Sequence, residues 1–201
     1  MPLLAQIVAA ILAVGYPGHR IPLPTAEAHA AIVARVSADT GIDPFEIVGI
    51  VHNESDWRPH LVSRDGKDCG IAQTRVTGSQ YTCQQLTASA ELSIRELARE
   101  LTSTRESCIR DLTDASGDRL CTCGKCDPLF MKQDLDRCRL NRFNSGYAKA
   151  NCAPGDESCR VRARTASRYW LRVLCFADAA RHGEHGHGCR KATTLPARYQ
   201  S

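Results

Sequence analysis

Among the 201 residues, the stretch His52-Asn53-Glu54-Ser55-Asp56-Trp57 carries the side chains best suited to acid–base chemistry. Glu54 follows Ile47, Ile50 and Val51 at i+7, i+4 and i+3, which on a helix places its carboxyl on the apolar face. An ionised carboxylate is costly in such a place. Partial burial raises a carboxyl pKa and keeps the group protonated near neutral pH, which a general acid requires. The same placement also fits a structural Glu satisfied by an Arg or by backbone donors, and periodicity alone leaves both readings open. His52 next to it reads as a structural neighbour. Trp57 and Trp170 have the rings to stack on sugars, although core packing is the commoner use of Trp on helices.

Cysteine is the second chemical signal. Eleven cysteines, about one residue in eighteen, are more than a cytosolic protein carries and fewer than a pure disulfide scaffold. The odd count leaves at least one thiol free, intermolecular or liganded. Cys121-x-Cys123-x-x-Cys126, flanked by Cys108 and Cys138, has ligand types for zinc but lacks the paired C-x2-C spacing of structural sites, so disulfides are favoured. Cys152 and Cys159 enclose the acidic loop APGDES and form one local candidate pair. His182, His185, His187 and Cys189 make an H-x2-H-x-H-x-C tract. Its interleaved glycines impose an ordering cost on metal binding, and a solvated tail without metal is the favoured reading. No metal or cofactor is assigned.

The elements that must position these groups are helices. Residues 3–14 form an apolar run interrupted only by Gln6, too short to span a bilayer and suited either to a signal-peptide core or to a helix packed on the body. With the cysteines it favours export, though no Lys or Arg precedes the run. The small-x-small sites Ala26-Glu27-Ala28 and Ala28-His29-Ala30 come late, after Pro17, Pro22 and Pro24. A helix through Ala31, Val33, Ala34 and Val36 is expected to stop at Gly41. Asp43-Pro44 reads as N-cap and first residue of the next helix. Residues 57–83 hold three glycines and a proline, and read as loop with a short strand. Ala90, Ile94, Leu97 and Leu101 mark a long helix, with Thr82-x-x-Gln85 a capping box at its approach. Residues 102–128 are polar and Cys-dense, 129–141 read as helical, and a last helix is predicted over 158–179 with Ala166, Trp170, Val173, Leu174 and Ala177 inward. The tail after it is polar and Gly-rich, and is expected to be mobile. The fold class is mainly α.

Composition narrows the function classes. A 43% hydrophobic and 24% charged chain is globular rather than disordered. A net charge of +4 with no run of like charges argues against nucleic acid and suits approach to a polyanionic surface such as a bacterial wall.

Glu54-Ser55-x-Trp57-x-Pro59-x-x-Val62-Ser63-x-x-Gly66-x-x-x-Gly70-Ile71-Ala72-Gln73 resembles the lytic transglycosylase SLT domain of the lysozyme-like superfamily. The lead-in Thr40-Gly41-Ile42-Asp43-Pro44, the downstream Asn141-Arg142-Phe143-Asn144-Ser145-Gly146 and Tyr169-x-x-Arg172-Val173 resemble its other elements, in order, over roughly residues 31–178. The resemblance implies a lysozyme-like two-lobed helical domain with a substrate groove over 26–180, including a Cys-rich insertion at 102–138, between an N-terminal segment 1–25 and a tail 181–201. It also implies a peptidoglycan-cleaving enzyme with Glu54 as catalytic acid/base. Ser55, Ser63, Gln73, Phe143, Asn144 and Tyr169 would line or support the glycan site. Phe143 departs from the family's usual Tyr and lacks its hydroxyl. Lys67-Asp68-Cys69-Gly70 resembles the conjugation-associated subset, in which a cysteine precedes the Gly-x-x-Gln element. Cys69 and Cys83 then bracket a loop beside the expected groove, where a disulfide would pin Gly70–Gln73.

A typical glycosidase uses two carboxyl groups, the second as nucleophile or water-activating base. A lytic transglycosylase uses one. Asp56 lies two residues beyond Glu54 and would point away on a continuing helix, while Asp65 and Asp68 read as turn formers. The single-acid lyase is therefore favoured over a lysozyme-type hydrolase. The implied partner is the peptidoglycan glycan strand, cut by an exported monomer, within a secretion or conjugation machine or a phage particle. Two further classes compete: a non-catalytic wall-binding protein on the same fold, and a zinc-dependent interaction module built on the 108–138 cysteines.

Overall fold

The computed structural model describes residues 1–14, 21–111, 157–184 and Cys189. The described chain is mainly helical. Its elements are α1 (Leu3–Val14), α2 (Leu23–Thr40), α3 (Pro44–Ser55), β1 (Asp68–Cys69), β2 (Thr74–Arg75), α4 (Cys83–Ala88), α5 (Ala90–Asp111) and α6 (Glu157–His182). It divides into two units, one of Met1–Ala98 with Leu171–Ser201 and one of Arg99–Trp170.

In the first unit, α3 is the central helix. Asp43 caps it, accepting a hydrogen bond from the Phe45 amide at 2.9 Å, and Pro44 occupies the first turn, where no amide donor is needed. Every residue from Phe45 to His52 is buried, so the helix is covered on all sides. α2 ends as expected: Gly41 takes the left-handed conformation at φ 70° and its amide bonds the Ser37 carbonyl. Its start lies further upstream than a Pro-rich linker would allow. Pro22 is the N-cap and Pro24 falls in the first turn, so these prolines initiate the helix instead of preceding it. Ala26-Glu27-Ala28 and Ala28-His29-Ala30 are therefore inside α2, with Ala26 and Ala30 fully buried.

α1 packs on α2 and α3, burying Ile7, Ala10, Ile11 and Val14. None of the described helices is long and apolar enough to cross a membrane. α6 meets α3 at Gly49, where a Cβ would lie 2.9 Å from the Ala177 amide nitrogen and from the Val173 carbonyl oxygen. Only glycine permits backbones that close. Val173, Leu174, Phe176 and Ala177 are buried on α6.

The loop between α3 and α4 holds a two-stranded antiparallel ribbon, β1 on β2, with Asp68 opposite Arg75 and Cys69 opposite Thr74. An isolated bridge joins Val62 to Cys69. The Thr82–Gln85 capping box is present, but it starts the short helix α4 and not the long one. The chain breaks at Ser89, whose backbone is extended and whose hydroxyl accepts from the Leu92 amide, starting α5 afresh. Of the predicted α5 stripe, Ile94, Leu97 and Leu101 are fully buried, while Ala90 at its start is half-buried. In the second unit, the described parts are α5 from Arg99 onward and α6 up to Trp170. The helix expected at 129–141 and the cysteines from 121 to 152 lie outside the described residues.

Two disulfides are present among the described residues. Cys69–Cys83 matches the expected pair. Cys175–Cys189 joins α6 to the segment after it and leaves Cys189 buried at 3% exposure. That bond corrects the expectation of a wholly mobile tail, and it removes the thiol from the His/Cys tract, since a disulfide sulfur is no thiolate ligand.

Candidate active site

Glu54 is half-buried near the C-terminus of α3, on the stripe with Ile47, Ile50 and Val51, which are fully buried. The helix stops one residue later. Asp56 adopts φ 54°, ψ 42° and its amide bonds the His52 carbonyl, so the chain turns off sharply. Trp57 follows with φ 62°, a conformation unfavourable for a bulky residue. Two interactions hold this turn. Arg58 Nε donates to the Ser55 carbonyl at 2.8 Å, and the Trp57 ring stacks on His29 of α2 with 5.6 Å between centroids. Trp57 is 2% exposed, so its ring is a core group and not a sugar platform. Its Nε1 finds no acceptor among the described residues. Burial pushes the His29 imidazole below its ordinary pKa.

Ser55 couples α3 to the loop. Its hydroxyl is 1% exposed and donates to the Ile71 carbonyl, with Val51 as a second acceptor. The Gly70–Gln73 segment is fixed from within as well. The Gly70 amide bonds the Leu61 carbonyl at 2.9 Å, and Gln73 Nε2 donates to the carbonyls of Leu61 and Gly70, each at 2.9 Å. Gln73 takes φ 48°, and its carbonyl Oε1 is left without a partner among the described residues. Cys69–Cys83 anchors the start of the segment to the start of α4. The Ala72 amide donates to Ser93 Oγ at 3.1 Å.

Ser63 organises the neighbouring turn. Its hydroxyl donates to Asp65 and accepts from the amides of Lys67 and Asp68. Two of the three aspartates weighed as a second carboxylate, Asp65 and Asp68, are engaged by neighbouring groups. Asp65 accepts from Ser63 and the Lys67 amide, which hold its carboxyl below the usual range. Asp68 pairs with Arg75 across the ribbon at 3.0 Å. Asp56 Oδ1 lies 3.0 Å from His52 Nδ1 without the alignment of a hydrogen bond. His52 is 1% exposed with its ring edge-on to Phe176, a core position as expected.

Ser55, Ser63 and Gln73 thus belong to the hydrogen-bonded network that joins the end of α3 to the loop, and Glu54 directly precedes Ser55 in the chain. Tyr169 lies in the second unit and is 3% exposed. Phe143, Asn144 and Cys152 lie outside the described residues, as does the side chain of Cys159. Sequence reasoning missed Ser93 and His29, which touch this network from α5 and α2. It also missed the buried carboxyl groups of Glu46 and Glu96. Ser93 sits one position from the apolar stripe of α5, and that adjacency is the only local signal it had.

Chemically, the arrangement presents the half-buried carboxyls of Glu54 and Asp56 at the end of α3, next to a loop whose backbone is held by hydrogen bonds. Such a group can give and take a proton at a defined position. The chain matches no protein-family model, and comparison with curated proteins and with solved structures finds no significant match.

Proposed function

We propose that this protein is a peptidoglycan-cleaving lytic transglycosylase with a lysozyme-like, two-lobed helical fold. The observation that carries the reading is the placement of Glu54: half-buried at the end of a helix buried from Phe45 to His52, with the adjacent Ser55 hydroxyl bonded into the Gly70–Gln73 loop. In this reading Glu54 protonates the glycosidic oxygen between N-acetylmuramic acid and N-acetylglucosamine as the bond to the muramyl C1 breaks. The resulting carboxylate takes the proton of the muramyl C6 hydroxyl, whose oxygen closes on C1 to give a 1,6-anhydro end. No water is consumed and no cofactor is needed. Ser55 and Ser63 serve by fixing backbone, since their hydroxyls are spent inside the protein, whereas Gln73 has an oxygen to offer the glycan. Phe143, Asn144 and Tyr169 complete the site by resemblance.

The runner-up is a lysozyme-type hydrolase, which needs a second carboxylate. The engagement of Asp65 and Asp68 elsewhere weighs against it. Export to an oxidising compartment is supported by the two disulfides, and the net charge of +4 suits an anionic wall. A role inside a secretion or conjugation machine or a phage particle follows the same resemblance.

The test is mass spectrometry of muropeptides after digestion of purified peptidoglycan, with Glu54→Gln as control. Anhydro-muramyl products support the lyase, reducing ends the hydrolase. Binding without products would leave the wall-binding reading in its place.

A further inference from the structure

We propose that Ser93, on the buried face of α5, is a positioning residue for the reaction, holding the loop bonded to Ser55, the neighbour of Glu54, in register with α3. The proposal rests on the reading of Glu54 as the acid. Its basis is a single peptide group. The Ile71 carbonyl accepts from Ser55 Oγ, and the Ala72 amide donates to Ser93 Oγ at 3.1 Å. These are the two ends of one planar unit, whose only freedom is to rotate as a whole. Ser55 holds one end from α3 and Ser93 holds the other from α5, so the plane cannot turn without breaking a buried hydrogen bond. Ile71, Ala72 and Ser93 are all fully buried, which leaves water no access to replace either bond. The fit around the pair is tight: a Cβ at Gly70 would stand 2.7 Å from Ser93 Oγ and 2.5 Å from the Leu86 carbonyl. Gln73 directly follows Ala72, so a turn of this plane would shift the backbone from which its side-chain amide reaches the Leu61 and Gly70 carbonyls, and with it the oxygen offered to the glycan.

The experiment compares wild type, Ser93→Ala and the near-isosteric, weakly accepting Ser93→Cys in muropeptide release, at a temperature where all are folded by circular dichroism. Amide exchange at Ala72 is followed in parallel. Ser93→Ala is expected to speed exchange at Ala72 and to lower kcat about 10- to 100-fold with KM changed less than about twofold, because a displaced group costs rate more than ground-state binding. Ser93→Cys should fall between the two, and it carries the test if the Ala variant does not fold. A kcat within about twofold of wild type, with faster exchange at Ala72, overturns the inference and leaves the functional reading intact: the bond is then structural only. A wild-type protein that releases no muropeptides overturns both.

Discussion

Cys69–Cys83 and Cys175–Cys189 close loops of equal length, each with a sequence separation of 14. By the loss of chain entropy in the unfolded state, each is therefore worth a similar amount, about 3 kcal/mol for a loop of roughly 15 residues. What they enclose differs. The first contains the Gly70–Gln73 segment and its buried serine contacts, while the second fastens the end of α6, whose inner face covers α3 at Gly49. Each disulfide stands beside one glycine that nothing larger can replace without movement. On the proposed reading the two regions separate stability from function: the second braces α6 against α3, which carries Glu54, and the first holds the loop bonded to Ser55.

The sharpest way to test that separation is Glu54, the proposed acid. Glu54→Gln keeps shape and removes the proton, so turnover should fall about 10²–10⁴-fold with the melting curve unchanged. Activity within threefold of wild type would remove Glu54 from the mechanism. The glycines come next. Gly70→Ala combines a φ of +80° with a collision against the Leu86 carbonyl, and should cost about 2–6 kcal/mol from strain and overpacking together. Gly49→Ala meets only crowding, about 1–3 kcal/mol, offset by up to ~1 kcal/mol of better helix propensity. Denaturant melts that rank them in the reverse order would break the comparison at its root.

Paired Cys→Ser variants isolate the disulfides. Both Cys69→Ser/Cys83→Ser and Cys175→Ser/Cys189→Ser should lose about 3 kcal/mol, but only the first should also lower kcat in the still-folded protein. Equal kcat in the two variants would show that the first bridge does nothing for the loop beyond stability. The smallest effect is expected at His29. Its folded-state pKa lies below the ordinary 6.5, so folding favours the neutral ring. That contribution is complete above pH ~6.5 and is lost as pH falls below it towards the folded-state value. Thermal melts of His29→Phe should accordingly show a shallower acid limb than wild type. An identical limb would place the acid sensitivity elsewhere.

The parts that could be read from sequence were those with a local cause. Gly41 and Asp43–Pro44 mark helix ends through their own backbone chemistry, and the Ile47–Ile50–Val51 stripe follows from helical spacing. Cys69 and Cys83 were paired because both flank one short loop. The start of α2 was misread because Pro22 and Pro24 break helices in most positions and are harmless in the first turn. The break at Ser89 was hidden because residues on both sides favour helix, and only the Ser89 hydroxyl, bonded to the Leu92 amide, marks a second start. Cys175–Cys189 had no local sign, since a Gly- and His-rich composition describes solvation and one covalent bond overrides it. Ser93 was invisible for a related reason: a serine on a helix declares its partner only once another loop is folded against it.

The stacking of His29 on Trp57 gives the molecule an optical reading of its own interior. Trp57 is one of two tryptophans, buried three residues after Glu54, with an imidazole against its face. A protonated imidazole withdraws electron density from an excited indole, whereas a neutral one leaves its emission largely intact. The intensity and wavelength of Trp57 fluorescence therefore report, without any label, the charge on His29 and the integrity of the turn that ends α3. Titration of that emission in a Trp170→Phe background would follow the protonation of His29 directly.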